Sequence, residues 1–230
     1  TDDRNISVTF QPDIVLVQAT PQTGLNTRHC YMWVASQGGD SSANIEGNLA
    51  ASGNAIQGAG ASGFQVGTVI NNATQTYYWM ALKRTNDNII EGVYTGDGVD
   101  NRYITFVGDS FTPGMVLVKG AILGTFNLSS YRTSANTGDE ATVAQQGVLA
   151  NIIQAVNSDG FQVGSSTVIN QNGPTYWYIA VAPGPTVTAT GPQGTGSAAL
   201  SPFQFPVDSP YAWYKMGLNM LETYKAVKIL

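Results

Sequence analysis

Ser62-Gly-Phe-Gln-Val-Gly67 returns 97 residues later as Asp159-Gly-Phe-Gln-Val-Gly164. The likeness extends outward on both sides. Thr68-Val-Ile-Asn71 is followed by Thr167-Val-Ile-Asn170, and Thr76-Tyr-Tyr-Trp-Met-Ala-Leu82 by Thr175-Tyr-Trp-Tyr-Ile-Ala-Val181. Upstream, Phe10-Gln-Pro-Asp-Ile-Val-Leu-Val17 matches Phe111-Thr-Pro-Gly-Met-Val-Leu-Val118, an offset of 101. Four blocks in one order at nearly one offset mark an internal duplication.

The blocks read as strands. Ile14–Gln18 and Met115–Lys119 are short apolar runs bounded by Pro and Gly, the pattern of buried strands. Thr76–Leu82 and Thr175–Val181 are rich in aromatic and aliphatic residues that suit a pleated, half-buried surface. Asn71–Gln75 and Asn170–Pro174 carry turn residues and are expected to join antiparallel strands. Asp139–Ala150 is expected to be helical. Ile89-Ile-Glu-Gly-Val-Tyr94 reads as an opening strand for the second copy; nothing in the first copy answers it, so either a strand precedes Thr1 or another segment supplies one. The expected architecture is therefore mainly β: two tandem β-sandwich, jelly-roll-like repeats at residues 1–83 and 84–183. Residues 184–230 stand outside them as an extended arm, Pro- and Gly-rich from Pro183 to Gly196, and an amphipathic helix over about 209–229. Ser209-Pro210 is a good helix start. Trp213, Met216, Met220, Tyr224 and Val227 form its apolar stripe, and Phe203 and Phe205 precede it.

Charged residues make up 11% of the 230, against roughly 25% in an average soluble domain, so Asn, Gln, Ser, Thr and Gly must cover much of the surface. Such a surface does little to repel neighbours and suits a protein packed in an assembly or one outside the cell. A net charge of -5, with ten scattered Lys and Arg, argues against nucleic acid as a partner. No segment reaches the ~18 consecutive apolar residues of a membrane helix. One cysteine, Cys30, allows no intrachain disulfide.

The chain resembles the β-rich repeat domain of tailed-phage virion proteins and some bacterial surface proteins. The residues that carry the resemblance are Tyr94-Thr-Gly-Asp-Gly-Val-Asp-Asn-Arg102, the Phe-x-Pro-Asp/Gly opener before Val-Leu-Val, Asp159-Gly-Phe-Gln-Val-Gly164, Val-Ile-Asn and Thr175-Tyr-Trp-Tyr178. The second copy has all of them; the first lacks the Tyr-Thr-Gly-Asp start and has Ala61-Ser62 where the second has Ser158-Asp159. The resemblance implies a virion setting in a tail, fibre or head-associated protein, and covers neither the arm nor the C-terminal helix.

Chemistry-bearing groups are sparse. His29 and Cys30 are adjacent and would point to opposite faces of a strand, poor placement for a nucleophile and its base. Asp97, Asp100, Asn101 and Asp109 offer hard oxygen ligands for Ca²⁺, although Asp and Gly are also what tight turns require. Tyr77, Tyr78, Trp79 and Tyr176, Trp177, Tyr178 could stack on sugars, but about half of any strand must face a core. No catalytic constellation and no cofactor is expected. The reading is a non-enzymatic virion structural protein, either a capsid decoration or cement protein or a tail or fibre component. It would homo-oligomerise or bind other virion proteins, with Phe203, Phe205, Trp213, Met216, Met220, Tyr224 and Val227 as the assembly residues. The alternative is a carbohydrate- or receptor-binding module of a phage fibre or bacterial surface.

Overall fold

The computed structural model describes residues 3–19, 30–46, 51–84, 88–121, 128–133 and 136–183, and the backbone of 187–191 and 194–198. The chain is mainly β. Its first half contains β1 (Arg4–Ser7), β2 (Ile14–Ala19), β3 (Cys30–Val34), β4 (Ala43–Asn44), β5 (Ile56–Gly60), β6 (Gly63–Val66) and β7 (Tyr77–Leu82). The second half contains β8 (Ile89–Thr95), β9 (Arg102–Thr105), β10 (Met115–Gly120), β11 (Ser130–Thr133), β12 (Glu140–Val143), β13 (Gly147–Ala150), β14 (Ile153–Asn157), β15 (Gly160–Val163) and β16 (Thr175–Val181). A short helix, α1 (Thr167–Asn170), precedes β16, and β17 (Val187–Gly191) with β18 (Gly194–Ala198) closes the described chain.

All pairings are antiparallel, and the main sheets run β4-β3-β2-β7 and β13-β12-β11-β10-β16-β8. Two three-stranded sheets, β1-β6-β5 and β9-β15-β14, accompany them. Three apolar clusters show how these sheets stack. Val15, Val17, Tyr31 and Trp33 meet Ile56, Phe64 and Val66 between β1-β6-β5 and the first main sheet. Val116, Val118, Ala141 and Val143 meet Ile104, Ile153, Phe161 and Val163 between the second main sheet and β9-β15-β14. The third cluster joins the two halves: Ile14, Met32 and Val34 of the first main sheet pack on Leu117, Tyr131, Trp177 and Ile179 of the second. The result is four layers with three apolar seams.

Both main sheets therefore have two covered faces. Every residue of β3 and of β10 is buried, whereas antiparallel sheets commonly leave one face in water. The half-buried pattern expected for Thr175–Val181 gives way to burial from Tyr176 through Ala180. Polar bonds stitch the central seam at its margin. Ser129 Oγ donates to the Ile45 carbonyl at 2.8 Å, and Gln145 Nε2 to that of Glu46 at 2.9 Å. The Ser36 backbone N–H and hydroxyl both donate to the Glu91 carboxylate.

The repeated Gly-Phe-Gln-Val-Gly phrase has a steric cause. A Cβ on Gly63 would lie 2.2 Å from the Ile6 carbonyl oxygen, and one on Gly160 2.1 Å from that of Ile104. At the far ends, Gly67 would meet the Asn54 carbonyl at 2.6 Å and Gly164 that of Asn151 at 2.4 Å. Those obstacles are backbone, which cannot rotate aside. Asn54 and Asn151 share the left-handed conformation, at φ of 56° and 59°. Between the glycines, Phe64 and Phe161 plug the two outer seams.

Three expectations are corrected. Residues 139–150 form the β12–β13 hairpin rather than a helix. Ala141 and Val143 alternate inward, and Gln145 and Gly147 take positive φ at the turn, which a helix cannot hold. The Val-Ile-Asn blocks are not strands: Thr68–Ile70 is a single 3-10 turn and Thr167–Asn170 is α1. Ser166 Oγ caps α1 at Val168 N, and the buried Asn170 amide donates to the carbonyls of Val99 and Gly164, both at 2.9 Å. The turns after these blocks therefore carry the chain from one layer to the next instead of closing a hairpin. Finally, the stretch expected as an extended arm contains the β17–β18 hairpin, in register from Val187–Ala198 to Gly191–Gly194.

Candidate functional site

The two main sheets differ at one edge. In the second half β8 lies along the outer side of β16, seven residues in register from Thr175–Thr95 to Val181–Ile89. In the first half β7 holds the place of β16, pairing with β2 as β16 pairs with β10. Among the described residues no strand pairs with the other side of β7. Natural edge strands are usually short, charged, bulged or interrupted by proline. The run Tyr77-Tyr-Trp-Met-Ala-Leu82 has none of these protections. Its edge position also explains an asymmetry in exposure. Tyr78 and Trp79 are 44% and 40% exposed, whereas their counterparts Trp177 and Tyr178 are 5% and 3% exposed.

Beneath that edge is a cavity of about 250 Å³, lined in part by Arg4, Ile6, Phe64, Ile70, Tyr77 and Trp79. Its chemistry is aromatic with one cationic rim. Phe64 meets Trp79 edge to face at 5.4 Å, and Arg4 Nη1 donates to Asn71 Oδ1 at 3.3 Å. The Tyr77 hydroxyl accepts from Asn72 N at 3.3 Å.

The same fittings recur in the second half around a side chain from β8. Phe161 meets Tyr178 edge to face at 5.2 Å, Arg102 Nη1 donates to Asn170 Oδ1 at 3.4 Å, and the Tyr176 hydroxyl accepts from Gln171 N at 3.0 Å. Here Tyr94 fills the space. Its ring stacks on Tyr176 at 5.3 Å, meets Phe161 at 6.2 Å and lies under the Arg102 guanidinium at 5.6 Å. Its hydroxyl donates to the Ile169 carbonyl at 2.6 Å. Burial holds this phenol well above its ordinary range.

The residues singled out from sequence fall elsewhere. Phe203, Phe205, Trp213, Met216, Met220, Tyr224 and Val227 lie outside the described residues, as do His29 and the helix expected over 209–229. Cys30 is buried in the central seam, where desolvation pushes its thiol far up. Asp97 caps its own turn through Val99 N and pairs with Arg102 at 3.2 Å. Asp100 accepts from Gln154 and Asn101, and Asp109 pairs with Arg84 at 2.6 Å. Among the described residues no three His, Cys, Asp or Glu side chains converge as metal ligands would. No described helix is long and apolar enough to cross a membrane. Tyr78 and Trp79 are neighbours on a strand and so face opposite sides, whereas Tyr77 and Trp79 share the face that lines the cavity. Arg4, Ile70 and Tyr94, which the sequence reading did not single out as site residues, become visible once the two halves are set in register. No family model, curated protein or solved structure matches the chain.

Proposed function

We propose that the chain is a non-enzymatic structural protein of a virion, acting through protein–protein assembly as a capsid decoration or cement protein or a tail or fibre component. It is built of two β-sandwich copies, residues 1–83 and 84–183, followed by the segment 184–230. The observation that carries this reading is the unprotected edge of β7, six uncharged residues whose outer side has no strand partner among the described residues, while β8 closes the same edge in the second half. An edge of this kind invites strand addition by another polypeptide. The charge-poor composition favours close packing with neighbours. Tyr94, Tyr178 and Lys119, whose protonation is shifted by burial, are packing residues inside the sheets. Immunogold labelling of particles released from cells that make the protein tests the reading. Label on heads, tails or fibres is the expected outcome, and particles that stay bare while the protein is found free would refute it.

A further inference from the structure

The cavity under β7 and the site of Tyr94 share their fittings residue for residue. The four groups that hold Tyr94 are Arg102, Phe161, Ile169 and Tyr176. Their counterparts, Arg4, Phe64, Ile70 and Tyr77, are of identical type and all line the cavity. The strand registers agree as well: Arg4 and Ile6 oppose Val66 and Phe64, as Arg102 and Ile104 oppose Val163 and Phe161. Among the described residues no strand lies on the outer side of β7 to deliver the ring.

We propose that the outer edge of β7 and the cavity beneath it form an acceptor site for an extended peptide of another polypeptide. That peptide adds antiparallel to β7 and inserts a tyrosine side chain among Arg4, Phe64, Ile70 and Tyr77. The inference rests on the assembly reading and names the partner's chemistry. The pattern it must carry follows from β8. Tyr94 lies opposite Tyr176, so the incoming tyrosine lies opposite Tyr77. Gly92 lies opposite Tyr178, and a Cβ there would come within 2.4 Å of the Tyr178 ring. The residue facing the larger Trp79 is therefore glycine, two positions before the tyrosine. The recognised motif is Gly-x-Tyr in an extended strand: backbone hydrogen bonds along β7 supply the pairing and the aromatic socket supplies the selection.

The probe is the peptide Ile-Ile-Glu-Gly-Val-Tyr-Thr-Gly-Asp-Gly, the sequence of residues 89–98, labelled and titrated into the intact protein by fluorescence anisotropy. Saturable binding is expected, weakened about thirtyfold when the peptide's tyrosine is replaced by alanine. Location and register are read by disulfide trapping. Trp177 opposes Val93, so Tyr78→Cys in the protein should trap a peptide carrying cysteine at its Val93 position. A Val99→Cys control, exposed but away from β7, should not. Tyr78 is exposed, so the variant keeps its packing, and the buried Cys30 does not compete. No binding up to about 1 mM, equal affinity for the alanine peptide, or equal trapping at both cysteines would each overturn the proposal. Failure here with label still present on particles would leave the assembly reading standing. Binding with unlabelled particles would overturn that reading and leave the strand acceptor.

Discussion

Tyr94→Ala tests whether an edge strand holds the second half through a single aromatic anchor. The ring is buried, packed against Tyr176, Phe161 and the Arg102 guanidinium, with its hydroxyl on the Ile169 carbonyl. Truncating a buried aromatic to alanine costs about 3–5 kcal/mol, because the transfer free energy is lost and the cavity collapses only in part. At this chain length each kcal/mol lowers the melting temperature by about 2–4 °C, so a drop on the order of 10 °C is expected. Tyr94→Phe keeps the ring and removes the hydroxyl, which isolates the hydrogen bond at about 1 kcal/mol. Val93→Ala, one residue earlier at an exposed position of the same strand, should stay within about 0.5 kcal/mol of the parent. Urea unfolding followed by far-ultraviolet circular dichroism and tryptophan fluorescence measures all three, with the slope of free energy against urea checked for constancy. A Tyr94→Ala loss below about 1 kcal/mol, or one no larger than that of Val93→Ala, would refute the anchor and with it the inference drawn for the cavity.

Three further outcomes follow from groups in or beside the seams. Burial pulls the Lys119 ammonium down from 10.5 to about 7. Between those values the unfolded chain holds a proton that the folded chain has released, so stability should rise with pH across that window. Lys119→Met should therefore stabilise by a few kcal/mol, on the order of the pKa displacement, at pH 6 and by progressively less toward pH 10; parallel stability profiles for parent and variant would contradict this. Gly160→Ala forces a Cβ onto the Ile104 carbonyl and should lower stability by about 2–4 kcal/mol, while Gly138→Ala, strained in φ but with open space around it, should cost about 1 kcal/mol. Equal losses at the two glycines would argue against the close-approach account. Cys30, buried and with its thiol raised by desolvation, should react with iodoacetamide in the native state at least about a hundredfold more slowly than in urea; comparable rates would place it at the surface.

Much of the strand content was legible because the chain punctuates its strands with Pro and Gly. β2, β10, β7 and β16 begin within a residue of where the apolar runs begin. The continuous run Met115-Val-Leu-Val-Lys-Gly120 also carries a sign of double burial, since a strand with one wet face should alternate. What covers the second face was not legible, because periodicity within a strand does not say which distant sheet lies against it. The helix expected over 139–150 failed for a local reason. Asp139-Glu-Ala-Thr-Val-Ala has helix formers, but tertiary packing of Ala141 and Val143 and the positive-φ turn before Val148 outweigh that weak propensity. Val-Ile-Asn misled in the opposite direction: β-branched residues suggested strand, while the buried Asn170 amide and the Ser166 cap shape a tight turn. For the cavity, the signal in the sequence was the unmatched segment Ile89–Tyr94. Its meaning needed coordinates, since Arg4, Phe64, Ile70 and Tyr77 are scattered along the chain and converge only when two sheets stack.

The central seam limits how such a chain can grow. The residues that meet there are counterparts: Leu16 packs beside the seam in the first half as Leu117 does in the second, while Val17 and Val118 point into the two outer seams. Like faces therefore meet like faces, an isologous arrangement that is satisfied once and covers the central strands of both main sheets. Strand addition to the main sheets uses their edges. On the β4 side the first sheet ends in a two-residue strand, too short to template a ladder; the second sheet ends in the four-residue β13 and in β8, which carries Glu91. The outer side of β7 differs from these edges in being six uncharged residues long and backed by the aromatic socket. The one such edge among the described residues accepts one strand and then presents none of the socket chemistry again, because the pocket is consumed with the edge. The strand that completes the second half has no described counterpart on β7, and the expected stoichiometry with a Gly-x-Tyr strand is one to one.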